Sequence, residues 1–446
     1  MTTLTADLPT LDEPAPTPRE IPASRVASVD VLRGLTIFLM VFVNDLGDGS
    51  PAWMRHIHPS NADGMTLADI VFPMFLFIVG VSIPLAFDRA REAGLSLGSR
   101  LGHIATRTAA LLLMGVMSEN YQRVTTMAPR TWGLLGFIAL LLAWCSPPRE
   151  EGTRRKVFLG LKVLGIVGLL TLLAIYRRKP AETTLPFYGH VEAWTWMRAG
   201  WWGILGLIGW SYLAASLIVL AIGRRREWLM GAMALCMTMH LAMHHGGLFT
   251  HLDSKSWLAP ARGAVDAVAG VVNAVGNYVS LGDSFGSLAA IVMAGTLLGS
   301  ILKRDSDVVT PRDRTSWAAM FAAGLFLAGL LMDNFEGINK NAATPTWCYW
   351  CAAIASGLWI VLYRIIDVGG FRGWASLFSF AGANPLVAYF LHPILTWLLG
   401  VVGLGVVHSY TGSSDPVVSV AGSLGMAAVV CALTGLLSWS GLRVKV

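Results

Sequence analysis

Apolar residues along this chain gather into blocks rather than alternating with polar ones. Reading from the N-terminus, about twelve blocks stand out: residues 30–46, 67–87, 102–118, 131–146, 157–176, 201–222, 228–246, 284–302, 316–333, 346–365, 376–399 and 417–440. Most approach about 20 residues, the length a helix needs to cross roughly 30 Å of hydrocarbon. In lipid a backbone must satisfy its own hydrogen bonds, so such blocks predict helices. Barrel strands would give short alternating segments, and none is evident. The pattern predicts an all-α, polytopic integral membrane bundle of about twelve transmembrane helices. The block at 131–146 is short, and 228–246 carries His240, His244 and His245. The connections 177–200 and 247–283 read as long loops rich in aromatics, Gly and Pro, able to cap a cavity or lie at the interface. No internal repeat is visible, which disfavours an inverted-repeat transporter.

Composition agrees with the blocks. Of 446 residues, 54% are hydrophobic and only 13% charged, against roughly 25% charged in soluble domains. Residues 1–24 are rich in Pro, Thr and acidic groups without an apolar core, which predicts a disordered cytoplasmic tail rather than a signal peptide. Residues 25–446 form the second unit, a transmembrane domain. The net charge of +6 speaks to orientation, not to nucleic acid. With the N-terminus inside, the inner connections carry about twice the Lys and Arg of the outer ones, so both termini are expected in the cytoplasm. Cys145, Cys236, Cys348, Cys351 and Cys431 all fall in or beside apolar blocks. Cys348 and Cys351 form a C-x-x-C one helical turn apart, without a second pair. Packing is the better reading than zinc or redox chemistry.

Polar groups in membrane helices are costly and need a partner or a task. Asp30 and Arg33 lie one turn apart at the inner end of the first block, where a structural ion pair is favoured over a ligand role. The first outer connection runs Trp53-Met54-Arg55-His56-Ile57-His58-Pro59-Ser60-Asn61-Ala62-Asp63-Gly64. Thr66 and Asp69 then resemble a capping box, and Pro73 should kink the second helix and free a carbonyl. His56, His58, Asn44, Asp63 and Asp69 therefore converge at the outer mouth. Histidine can serve there as base or nucleophile, and a carboxylate or amide can orient it. Solvated loop histidines are the plain alternative. Further on, Asn339-Lys340-Asn341 precedes the tenth block. Asn384 and His392, eight residues apart, should share a helix face. His240 and His244 have metal-pair spacing, but no acidic third ligand follows nearby in sequence, and no metal is expected.

Those residues carry a resemblance. Ser28-Val29-Asp30-Val31-Leu32-Arg33-Gly34, Met40 to Asn44, and Asp69-Ile70-Val71-Phe72-Pro73-Met74-Phe75 through Gly80 and Ser82 are similar to the heparan-α-glucosaminide N-acetyltransferase family and its bacterial relatives. Gly203 to Trp210, Ile338-Asn339-Lys340-Asn341 and Gly382-Ala383-Asn384 with His392 follow in the family's order. The resemblance implies a membrane acyltransferase that moves acetyl from cytoplasmic acetyl-CoA, or another acyl from its CoA, to an amino or hydroxyl group of a sugar or glycan on the far side. It implies a catalytic histidine, His56 by its W-x-x-H spacing or His58 counted back from Gly64, and it matches the family's Asn to Asn44. Arg33, Asn339, Lys340, Asn341, Asn384 and His392 are the cofactor-side candidates. Arg107 and Arg224 to Arg226 are further candidates for phosphate contact, the latter more simply topology determinants. The chain departs from the animal enzyme by an additional helical pair at 131–176, by Ala62-Asp63-Gly64 in place of W-N-G, and by having no counterpart of a large luminal N-terminal domain. Expected partners are membrane lipids, acyl-CoA and the acceptor, with a homodimer left open and no nucleic acid; the expected location is the cell (inner or plasma) membrane. The alternative is a transporter or flippase for a lipid-linked sugar or small solute. A non-catalytic scaffold ranks last.

Overall fold

A computed structural model describes residues 26–148, 150–185, 189–223, 225–248, 261–303 and 305–444. The expected tail at 1–24, Arg224 and part of the 247–283 connection lie outside those residues. Each of the apolar blocks is helical. In chain order the helices are α1 (Ala27–Asp45), α2 (Leu67–Glu92), α3 (Leu97–Asn120), α4 (Pro129–Ala143), α5 (Thr153–Ile175), α6 (Gly203–Ile222), α7 (Arg226–His244), α8 (Arg262–Val279), α9 (Leu288–Ile301), α10 (Pro311–Met332), α11 (Pro345–Leu362), α12 (Ser376–Ala383), α13 (Pro385–Val401) and α14 (Pro416–Trp439). Among the described residues, nine helical stretches are long and apolar enough to cross a membrane. The chain is thus a polytopic, all-α membrane protein. Three expected spans differ from the rest. The block at 376–399 is two helices meeting at 85°, and α4 is short. The third, α7, lies outside the apolar set, with Arg226 and Glu227 at its start and His240 and His244 toward its end.

Two connections hold more structure than a loop reading allows. Ala181–Leu185 (β1) pairs antiparallel with Gly189–Trp194 (β2). The 247–283 connection contains α8, which buries only Gly276. The hairpin is short and sparsely apolar, and the apolar residues of α8 are interrupted by Gly, Asp and Asn along one helix face instead of forming a block.

Helix starts follow local chemistry. Proline opens α4, α10, α11, α13 and α14, where its missing N–H costs nothing. The first turn of α1 has no cap of its own. Buried Asp367, 340 residues away, accepts the Ala27 and Ser28 N–H groups at 3.0 Å each, satisfying orphan donors at the positive helix end.

The core is the α2–α9 pair, with α9 wholly buried. A Cβ added at Gly80 would sit 1.9 Å from the Val292 carbonyl oxygen, and one at Gly295 the same distance from that of Phe77. Only glycine permits backbones this close, the usual device for packing helices without a hydrophobic drive between them. α2 runs unbroken through Pro73 and Pro84. Each proline frees the carbonyl four residues earlier. The one at Asp69 accepts the Trp347 indole N–H at 3.1 Å, and the one at Gly80 lies 3.3 Å from the Thr296 hydroxyl. The expected freed carbonyl at Pro73 is therefore present and already used.

Candidate functional site

α1 ends at Asn44-Asp45 and α2 begins after Thr66, so the connection between them, at the end assigned outside by charge, has its two ends held by neighbouring helices. The capping box forms: Thr66 N–H donates to Asp69 Oδ2 at 3.1 Å. Asp69 is fully buried, and its other oxygen faces outward into the connection. There His56 Nδ1 lies 3.0 Å from Asp69 Oδ1. Lys340 Nζ lies 2.9 Å from that same oxygen and 2.8 Å from His56 Nδ1. His56, Asp69 and Lys340 form one contact triangle, assembled from three distant stretches of chain.

The Asn-Lys-Asn segment explains how Lys340 arrives. Asn339 donates to the Ser60 and Ala62 carbonyls at 3.0 and 3.2 Å, and Asn341 donates to Ser60 at 2.8 Å. Asp63 accepts the Ile338 N–H at 2.7 Å, and the Gly64 N–H reaches the Ile338 carbonyl at 2.8 Å. Gly337 is needed for this, since a Cβ there would fall 2.8 Å from Asp63. The two asparagines and Asp63 thus lace two loops together, and Lys340 between them reaches the buried carboxylate. Asp63 therefore serves the loop backbone and does not touch His56. His58 is exposed and joins none of these contacts.

A cavity of about 410 Å³ opens beside the triangle. Its walls carry His56, Lys340, Asn341 and Asn44 among apolar side chains of α1, α2 and α6, with Asp283 on the far wall. A mostly apolar cavity with a few convergent polar groups is the usual form of a small-molecule site.

Beneath Asn44 lies a second cluster. Asp45 is buried, 3.0 Å from His392 Nε2 and 3.4 Å from His408 Nε2, and it accepts the Tyr410 hydroxyl. Burial and the adjacent carboxylate push the Tyr410 phenol well above its ordinary range, so it stays a donor. His392 is committed to this cluster. Asn384 is not its partner on a shared face. It occupies the break between α12 and α13, donates to the Leu442 carbonyl at 2.8 Å and accepts the Val444 N–H at 3.2 Å. The bend separates the two because Asn384 stands just before the first turn of α13, its side chain turned to the 438–444 segment. Asp45, His408 and Tyr410 were absent from the sequence-based candidates; only the adjacency of Asp45 to Asn44 hinted at any of them.

At the opposite end of α2, a cavity of about 390 Å³ is lined by Arg91, Arg100, Arg225, Arg226 and Lys303 together with Asp88, Glu227, Asp305 and Asp307. Arg226 is partly engaged there by Asp307 and by Ser300 at 3.1 Å. Arg107 stacks 4.6 Å over the Tyr212 ring. Arg33 pairs with Asp30 at 3.0 Å and donates to Ser82 at 2.9 Å, tying α1 to α2.

The third acidic ligand missing near His240 and His244 in sequence comes from elsewhere in the fold. Asp283 Oδ1 lies 2.9 Å from His244 Nε2 and 3.4 Å from His240 Nδ1. A sequence window could not show it, because Asp283 sits on the π-helical turn Gly282–Ser287 leading into α9.

Residues 25–250 match the family described as "Domain of unknown function (DUF5009)". The chain is 27% identical over 414 residues to heparan-alpha-glucosaminide N-acetyltransferase of Mus musculus, covering 85% of this chain and 55% of that protein. It is 26% identical over 391 residues to the Homo sapiens protein of the same name, covering 83% and 53%. The chain spans about half the length of these curated relatives.

Proposed function

The chain belongs to the DUF5009 family, and on that premise we propose that it is a transmembrane acyltransferase, taking an acetyl or other acyl group from cytoplasmic acyl-CoA to an amino or hydroxyl group of an extracytoplasmic sugar or glycan. The likeness to two N-acetyltransferases over more than four-fifths of the chain supports the reaction class. The observation that carries the reading is the seating of His56 on buried Asp69 at the rim of a cavity that also presents Asn44.

One ring tautomer makes His56 a base. In the tautomer proposed for catalysis, Nδ1–H donates to Asp69 Oδ1 and the Nε2 lone pair is left for substrate, with Lys340 withdrawn from its 2.8 Å contact with Nδ1 and donating to Asp69 alone. This is the arrangement in which a buried carboxylate fixes an imidazole for proton transfer. The acceptor amine attacks the thioester carbonyl, its proton passes to Nε2, and the CoA thiolate leaves and is reprotonated. Asn44 is the donor proposed to meet the developing oxyanion. Lys340 is a positioning residue that holds the Asp69 carboxylate. The cavity at the far end of α2, where five cationic side chains meet four carboxylates, is the seat proposed for the CoA phosphates, for which Arg and Lys are the natural partners. An amino sugar is the favoured acceptor, by likeness to the relatives' named substrate.

His56→Ala should abolish acetyl transfer from acetyl-CoA in the purified full-length protein while leaving it monodisperse; His58→Ala should keep most activity. Full activity in both variants overturns the site. A protein that moves solute across vesicles but neither hydrolyses nor exchanges acyl-CoA would be the transporter instead.

A further inference from the structure

His240 is fully buried, yet both of its ring nitrogens face acceptors. Nδ1 lies 3.4 Å from Asp283 Oδ1 and 3.1 Å from the Gly282 carbonyl; Nε2 lies 3.5 Å from Glu336 Oε2 and has no hydrogen-bond partner. A neutral imidazole carries one proton, so one lone pair must point at oxygen. Unsatisfied buried groups of this kind are rare in native structures and ask for a reason. A cation on one side resolves the conflict.

The neighbours have the chemistry for it. His244, one turn along α7, brings Nε2 to 2.9 Å from Asp283 Oδ1. The candidate ligand atoms of His240, His244 and Asp283 all lie within 4.8 Å of one another. Tetrahedral zinc with bonds of about 2.0–2.1 Å has ligand-to-ligand edges of about 3.3 Å, between the two Asp283 distances. We propose that His240 Nδ1, His244 Nε2 and Asp283 bind a divalent transition-metal cation of the zinc class, with Glu336 taking the His240 Nε2–H. A carboxylate on the outer nitrogen is the usual orienting partner of a metal-bound histidine. His245 Nε2, 2.9 Å from Glu336 Oε1, holds that carboxylate in turn. The fourth position is left for water.

The site has a structural consequence. Asp283 also walls the cavity that contains His56 and Lys340, and Glu336 heads the loop that delivers Lys340. A bound cation would pin α7, the π-helical turn and that loop to one another. The proposal rests on these contacts alone and stands whether or not the protein transfers acyl groups.

The test uses the full chain purified without a polyhistidine tag, equilibrated with Zn²⁺ or Co²⁺ and freed of excess. Wild type should retain about one metal per chain, the stoichiometry of a single three-ligand site. The cobalt form should show the intense visible bands of a tetrahedral site. His244→Ala and Asp283→Asn, at partly exposed positions, should each weaken zinc binding by ~100-fold or more, and Glu336→Gln by ~10–100-fold. Wild type retaining no metal, or giving only the weak spectrum of octahedral cobalt, overturns the proposal. Wild-type stoichiometry and spectrum decide the matter even if a variant fails to fold.

Discussion

Lys340 shows how much one side chain can organise. Its ammonium touches the carboxylate that holds His56, and asparagines on either side bind the opposing loop through Ser60. Removing the ammonium would leave buried Asp69 with one fewer donor, and an under-compensated buried carboxylate is costly. Lys340→Met should lower kcat/KM for acyl transfer by ~10–100-fold, a loss of about 1.4–2.7 kcal/mol, with expression nearly unchanged. Lys340→Arg should restore part of it, and the pH profile of kcat should shift in the Met variant but not in Asn339→Ala. A Met variant of full activity and unaltered profile would remove Lys340 from the site. His58, the second candidate beside the favoured His56, lacks any carboxylate within these contacts, and the contact with Asp69 supports the proposal that His56 is the acting histidine.

At the scale of elements, the close α2–α9 and α1–α12 crossings set the geometry. At the second crossing, a Cβ on Gly382 would approach the Asp30 carbonyl oxygen to 2.1 Å. Gly80→Ala or Gly295→Ala must push two backbones apart, and overpacking of this kind costs about 1–3 kcal/mol. Both variants should give a lower Tm in detergent than Gly324→Ala, whose added Cβ meets open space. Equal melting of all three would show that the α2–α9 crossing tolerates a methyl. Since α2 carries Asp69 near one end and lines the charged cavity at the other, a shift at Gly80 should also reduce activity. Asn384 acts at the same scale. It ties the bend between α12 and α13 to the 438–444 segment, a fold role for a residue whose motif suggested ligand binding.

For the whole molecule, orientation is the testable property. The five cysteines are free and buried, so engineered thiols can be read against a low background. His58→Cys should react with a membrane-impermeant maleimide from the extracytoplasmic face of intact cells. Ala93→Cys, exposed in the connection between α2 and α3, should react only after permeabilisation. The reverse pattern would invert the topology and move the His56 cavity to the cytoplasmic side. The two cavities lie near opposite ends of α2, a helix about 39 Å long, which is the separation the proposed cytoplasmic donor and outer acceptor would have to bridge.

The apolar blocks alone determined the helices other than α8, because crossing lipid demands long runs of apolar residues whatever their partners. Local chemistry likewise marked the capping box at Thr66 and Asp69, the freed carbonyl before Pro73, and the loaded loop that contains His56. The hairpin escaped because it is short and sparsely apolar, and α8 because its apolar residues are spaced along one helix face and never form a block. What only the tertiary structure decided was which polar groups meet. Lys340 reaches Asp69, His392 reaches Asp45, and Asp283 reaches His240 across long sequence separations. A periodic pattern reports which face of a helix is apolar. It carries no information on which distant face packs against it, and that pairing sets the chemistry of every cluster described.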